Sequence, residues 1–373
     1  TLTVPPLLSP VQFATTPEAL KANDELLRRH GYDLESLFDE FPETTLGYGS
    51  EFRPTDQLEK VLGGHPEFEV LKDFIQNGMS YRFSKESTEE ERVREMKGML
   101  ERGNHKSTEK DTNKAAELLA KDVAHGFSIP VSPETVEKIK GAMVQPLGLA
   151  TQFTLAKDGS RKVKSRLTQD LTFSLTEEDL SVNSRIDMRQ YPDMFYGWCL
   201  TRIIHFIVSL RLAHPDKRIF ISKYDYSDAY RRMAHSATAA AMSIAVLLHV
   251  AYIAIRLTFG GGCNPPSWCL FSEMVTDLAN EIACCSQYDP KLLRSPSQPH
   301  TPKPILSRST APLAKALPLA VVVPVTHTAR VECFVDDLIN CFLDTEANRA
   351  RQPHVVPLAM HCTSRPHAGD DEP

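Results

Sequence analysis

The sequence predicts an α+β protein, with a helical N-terminal part followed by a part built on antiparallel strands. Three observations carry this. Residues 17–29, 67–77, 88–102 and 111–125 have the apolar spacing of helices. Residues 152–173 (QFTLAKDGSRKVKSRLTQDLTF) read as strand, turn and strand about Asp158-Gly159. Residues 331–343 (VECFVDDLINCFL) place apolar strands on either side of Asp336-Asp337. The 373 residues, 42% hydrophobic and 24% charged, suffice for one large core or two ordinary ones and exclude fibrous and wholly disordered classes.

Each element follows from local signals. Residues 1–15 are Pro-rich and apolar and read as a tail. The stretch 88–102 (TEEERVREMKGMLER) opens on Glu89, Glu90 and Glu91 and closes with Lys97 and Arg102, the order that a helix dipole favours. Residues 1–145 thus form a helical, acidic extension with no identifiable chemistry. The hairpin that follows holds Lys157, Arg161, Lys162, Lys164 and Arg166 against the single acid Asp158, as a solvated face or as a phosphate-binding one. A helical segment over 192–212 precedes a short strand in RIFISKYDYSDAY (218–230). An apolar run then leads to a glycine turn at Gly260, Gly261 and Gly262 and a helix that opens at Pro265-Pro266 and runs to about Cys285. Residues 286–309 are Pro/Ser-rich and read as a loop or insertion, and residues 344–373, rich in Arg, Pro and His, as a C-terminal tail.

Charge narrows the function classes. Lys plus Arg number 42 against 48 Asp plus Glu, and the net −6 is uneven, −8 over residues 1–150 and +2 over residues 151–373. A nucleic-acid role therefore needs a local groove and not a general polycation. The eight cysteines contain no CxxC pair and follow no secretory signal, which points to a reduced, intracellular protein of cytoplasm or nucleus. The chain starts at Thr1, not Met, so a fragment of something longer is expected. Residues 233–255 hold no Asp, Glu, Lys or Arg, enough length to span a bilayer. Against a span stand His235, His249, scattered Ser and Thr and the alternating end AYIAIRLTFG, so no membrane partner is expected.

Two acidic placements point to chemistry. Asp225 follows Ile219, Phe220 and Ile221, and Asp336-Asp337 interrupts an apolar run. Carboxylates there are costly unless a cation meets them. Two like charges about 4 Å apart cost about 4 kcal/mol at an effective dielectric of about 20. A divalent ion removes that cost, and two such ions about 3.5–4 Å apart serve phosphoryl transfer. Asp336-Asp337 taken alone also fits a plain hairpin turn.

The order of several signals decides between these. R-L-T-Q-D (166–170), K-Y-D-Y-S-D-A-Y (223–230), L-T-F-G-G-G (257–262) leading into a helix, and F-V-D-D (334–337) between apolar strands follow one another along the chain. In that order the chain resembles the reverse transcriptases of retroelements over about residues 146–343.

The resemblance implies a right-hand polymerase fold: an antiparallel palm sheet, mainly 216–236 and 263–343, and fingers, mainly 146–215 and 237–262. It implies an RNA-directed DNA polymerase that moves a nucleotide from a dNTP to a primer 3′-hydroxyl on an RNA or DNA template, with two Mg2+ ions, or Mn2+, as cofactor. Asp225, Asp336 and Asp337 match the catalytic carboxylates, and the carbonyl of Tyr226 completes the metal shell. Arg166 matches the arginine presented to the triphosphate, a job that suits a planar, permanently charged fork. Tyr230 matches the bulky wall that rejects a 2′-hydroxyl, and Asp228, Ala229, Phe259 and Gly260 complete the nucleotide's surroundings. Glycines after Phe259 let backbone approach nucleotide and template. Lys157, Lys162 and Lys164 are candidates for phosphate contacts.

Departures keep an alternative open. About 30 residues follow Leu343, with no thumb visible among them, so the chain is expected to be truncated. A catalytically silent remnant that retains nucleic-acid binding is the rival reading. His354, His361, Cys362 and His367 fit no standard metal spacing.

Overall fold

In the computed structural model the described residues are 9–156, 158–177, 179–284 and 327–365. Lys157, the stretch 286–309 and His367 lie outside them. The chain opens with helices α1 (Pro17–Arg29), α2 (Leu34–Glu40), α3 (Thr55–Leu62), α4 (Phe68–Asn77), α5 (Glu89–Arg102), α6 (Lys106–Lys110) and α7 (Thr112–Ala124), then strand β1 (Ser128–Val131) and the short α8 (Pro133–Val136). It continues through β2 (Leu147–Leu155), β3 (Arg161–Gln169), α9 (Val182–Arg185), α10 (Cys199–Ala213) and β4 (Ile219–Asp225). It then forms α11 (Ala237–Ala241), β5 (Ile244–Leu247), β6 (Val250–Ala254), α12 (Asn264–Cys284), β7 (Ala329–Phe334), β8 (Asp337–Leu343) and α13 (Glu346–Thr363). The result is an α+β arrangement of helices on small antiparallel sheets: the β2–β3 hairpin, a sheet ordered β1-β6-β5 and a sheet ordered β4-β8-β7.

Local chemistry sets the helix ends. Thr88 caps α5 by accepting from the Glu91 N–H, while the Glu91 carboxylate accepts from the Thr88 N–H. Thr16 caps α1 ahead of Pro17, which suits a first helical position. Helix α12 is buried nearly all round, and its Trp268, Phe271, Met274 and Val275 form the middle of the largest core.

Four expectations change. Residues 9–15 are not a free tail, because Val11 is buried and Gln12 N–H donates to Asn23 Oδ1 at 2.8 Å. The N-terminal 145 residues do not stand apart, since β1 pairs with β6 and Ile129 and Val131 share a core with Ile244 and Ile253. Helix α10, which lies before the expected division at residue 215, packs Ile203, Phe206 and Leu210 against Cys341 and Leu343 of β8, across that division. It is also tied to β7 by the buried Arg202–Glu332 pair at 2.6 Å.

Residues 346–363 are not a tail but α13, despite Pro353 and Pro357 within it. An interior proline costs about 3 kcal/mol. Val355, Val356 and Leu358, fully buried in the core that α12 centres, each contribute about 1.5–3 kcal/mol and offset that cost. Pro357 has no N–H for the carbonyl of Pro353, and Tyr224 Oη donates to that carbonyl at 2.7 Å instead. The uncharged run 233–255 is divided among α11, β5 and β6, and among the described residues no helix is long and apolar enough to cross a membrane.

Candidate functional site

Strands β4 and β8 run antiparallel with Asp225 directly opposite Asp337. A two-residue turn, Val335-Asp336, joins β7 to β8, because Phe334 pairs with Asp337. Val335 takes a φ of +60°, which a β-branched residue adopts only when its surroundings hold it. Trp268 Nε1 donates to the Val335 carbonyl at 2.9 Å, and Tyr226 N–H donates to the Asp336 carbonyl at 3.1 Å. Together these bonds fix the turn against β4 and α12. The outcome is that Asp225, Asp336 and Asp337 each offer a carboxylate oxygen within 4.8 Å of the others.

Such a group repels itself. Burial pushes the Asp225 carboxyl up, and the Asp337 hydrogen bond and the Asp336 and Asp337 charges push it further. Lys223, two residues earlier on the same face of β4, answers part of this, its Nζ lying 2.8 Å from Asp337 Oδ1. That contact raises the lysine in turn. Three converging hard oxygen donors with one ammonium for company fit a small divalent cation such as Mg2+ or Mn2+.

Asp225 and Asp336 face a cleft of about 430 Å³. Lys164, Ser165, Arg166 and Leu167 of β3 line it, as do Asp225, Tyr226, Asp228, Ala229, Tyr230, Phe259 and Asp336. Alternation along β3 puts Lys162, Lys164 and Arg166 on one face, while Phe153 and Val163 pair on the other. Lys162 is exposed and does not line the cleft. Tyr230 is half-buried, with its ring centroid 5.1 Å from Phe259 and 6.5 Å from Trp268. Asp228 takes a left-handed φ of +53° and accepts from Arg231 N–H at 2.7 Å, which bends the chain after β4. The Tyr226 side chain is buried against Trp268 and Phe271, so its ring serves the core.

Gly260 has a different use from the one expected. Its φ is +136°, and a Cβ there would lie 1.7 Å from the Gln169 carbonyl oxygen. The close approach is therefore to the end of β3, and Gly260 does not line the cleft. Gln169 N–H donates to the Phe259 carbonyl at 2.8 Å, and Asn183 donates to Gly260 O while accepting from Gly262 N–H, both at 2.8 Å. The first bond locks the glycine turn to the basic hairpin and the Asn183 bonds tie it to α9.

Sequence reasoning missed two contributions. Lys223 was legible, since a residue two before a strand aspartate shares its face. Helix α7 was not: Lys121, Asp122 and His125 line the cleft, and Asp122 holds Arg231 Nη2 at 2.5 Å across a separation of 109 residues. Burial pushes the Asp122 carboxyl up and Arg231 opposes this. Among the described residues Asp225, Asp336 and Asp337 are the one group of three or more such side chains able to hold a metal, so His354, His361 and Cys362 do not gather into a site. No protein-family model matches the chain, and no curated protein compared with it matches either.

Proposed function

We propose that the chain carries the polymerising centre of a retroelement reverse transcriptase, with β4-β8-β7, α10 and α12 as palm and the β2–β3 hairpin as fingers. One observation carries the reading: Asp225 at the end of β4, Asp336 in the β7–β8 turn and Asp337 at the start of β8 offer carboxylate oxygens within 4.8 Å of one another, and Asp225 and Asp336 line a cleft that Lys164 and Arg166 also line. A divalent pair held by Asp225 and Asp336, with Asp337 beside them, would supply activation of a primer 3′-hydroxyl and stabilisation of the leaving pyrophosphate. Arg166 grips the triphosphate as a bidentate cation, Lys164 adds charge beside it, and Tyr230 occupies the space that a 2′-hydroxyl would need. Template sequence goes unread, because a copying enzyme holds the duplex by backbone and shape.

A silent remnant that only binds nucleic acid is favoured by one observation, the Lys223–Asp337 pair, which neutralises one of the three acids. Primer extension with dNTPs in Mg2+ or Mn2+ separates the two. The polymerase reading expects extension that Asp225→Asn abolishes and Arg166→Ala weakens by about 2–4 kcal/mol in nucleotide use. No extension, or equal extension by Asp225→Asn, leaves the remnant.

A further inference from the structure

We propose that the C-terminal end of α7 is a docking platform for one nucleotide unit, its base stacked on His125 and its phosphate at Lys121; the inference rests on the polymerase reading of the same cleft. His125 is exposed, yet its ring is held twice. Its Nδ1 donates to the Lys121 carbonyl at 2.7 Å, and its face lies on the buried Phe127 ring, 5.5 Å between centroids and 17° between planes. Lys121, His125 and Phe127 line the cleft that contains Asp225 and Asp336.

A basic residue at a helix C-terminus is usual for its dipole alone, and that accounts for Lys121. It does not account for an imidazole fixed flat against a buried aromatic in the wall of a carboxylate cleft. An exposed ring already ordered in this way offers a base a stacking face at little further entropic cost, and a neighbouring ammonium suits the phosphate attached to that base. Imidazole is among the rings on which unpaired bases stack. Two sources carry this chemistry, an unpaired template strand and a free nucleoside triphosphate.

The test uses the fluorescence of 2-aminopurine, which stacking quenches. One arm places it in the 5′ overhang of a primer–template, the other in a free deoxynucleoside triphosphate, both in Mg2+ with a dideoxy-terminated primer so that nothing is synthesised. Quenching by the unaltered chain in one arm names the source. His125→Ala should lose the quench and bind about tenfold more weakly, while His125→Phe keeps it. Lys121→Ala should weaken binding a few-fold and keep the quench. If His125→Ala, folded by circular dichroism, quenches and binds as the unaltered chain does, the platform is overturned and the polymerase reading stands. Absence of quench in both arms also overturns it, and a chain that retains no primer–template at all overturns the polymerase reading with it.

Discussion

The Lys223 ammonium lies 2.8 Å from Asp337 Oδ1, reaching diagonally across the β4–β8 pair in which Lys223 stands opposite Ile339 and Asp225 opposite Asp337. Diagonal neighbours on one sheet face are within reach of a long side chain. The lysine thereby sets a cation beside three convergent acids.

That pair competes with a metal for Asp337. Because it is exposed, it is worth at most about 1 kcal/mol. Lys223→Met should therefore tighten Mn2+ binding by about two- to fivefold, as read from the electron paramagnetic resonance of free Mn2+. Unchanged affinity would mean that Asp337 takes no part in holding the ion.

Asp225 gives a pH signature. Its carboxyl is raised by burial first, then by the Asp337 hydrogen bond and the two neighbouring charges. A raised acid binds its proton more tightly in the folded state, so the ionised form costs stability above that raised pKa. The cost is relieved as pH falls through it toward the ordinary carboxylate range. Asp225→Asn should raise the melting temperature in chelator at pH 7–8 by a degree or two, with at most about 1 kcal/mol gained at this partly exposed site. The gain should vanish below about pH 4. Adding Mg2+ should raise the melting temperature of the unaltered chain and not that of the variant.

Tyr230 stands between Phe259 and Trp268 with part of its ring in the cleft. Tyr230→Val removes half-buried ring atoms, a loss of about 1–2 kcal/mol in stability. In primer extension the variant should accept ribonucleotides more readily, as the ratio of rNTP to dNTP incorporation will report. A ratio that does not move would assign Tyr230 to packing alone.

Gly260 tests the bond between glycine turn and hairpin. Gly260→Ala forces a methyl onto the Gln169 carbonyl at a φ of +136° and should cost about 2–3 kcal/mol or more in urea unfolding. At Gly262 a Cβ would lie 3.5 Å from Asn183 Oδ1, ordinary contact distance, and Gly262→Ala should stay within about 1 kcal/mol. Equal effects at both positions would show that the Gln169 approach does not decide the turn.

How much was legible in the sequence depends on the range of the interactions that set each feature. Helices α1, α4, α5 and α7 were readable because their apolar spacing, joined in α1 and α5 by side-chain caps and end charges, lies within a few residues. The strands flanking Asp336-Asp337 were readable from alternation and a turn signal. Helix α13 was not, since two interior prolines outweigh its Thr345 cap and Glu346 as local signals, and what makes it helical is burial in the core centred on α12. Helix α10 was visible as a helix, but two of the three strands in its partner sheet, β7 and β8, lie more than a hundred residues downstream.

The candidate site divides the same way. The sequence by itself determined which residues could carry the chemistry: Asp225 behind a strand, Asp336-Asp337 in a turn, and a cationic face on β3, because residue type and period-two alternation are local properties. Only the tertiary structure decided that β4 and β8 pair in the register that sets Asp225 against Asp337, that Lys223 answers one acid, that Gly260 serves Gln169, and that α7 joins the cleft wall. Those outcomes depend on strand register and on contacts between residues as far apart as Asp122 and Arg231, and such contacts are fixed by the packing of the whole core, which no local window of sequence contains.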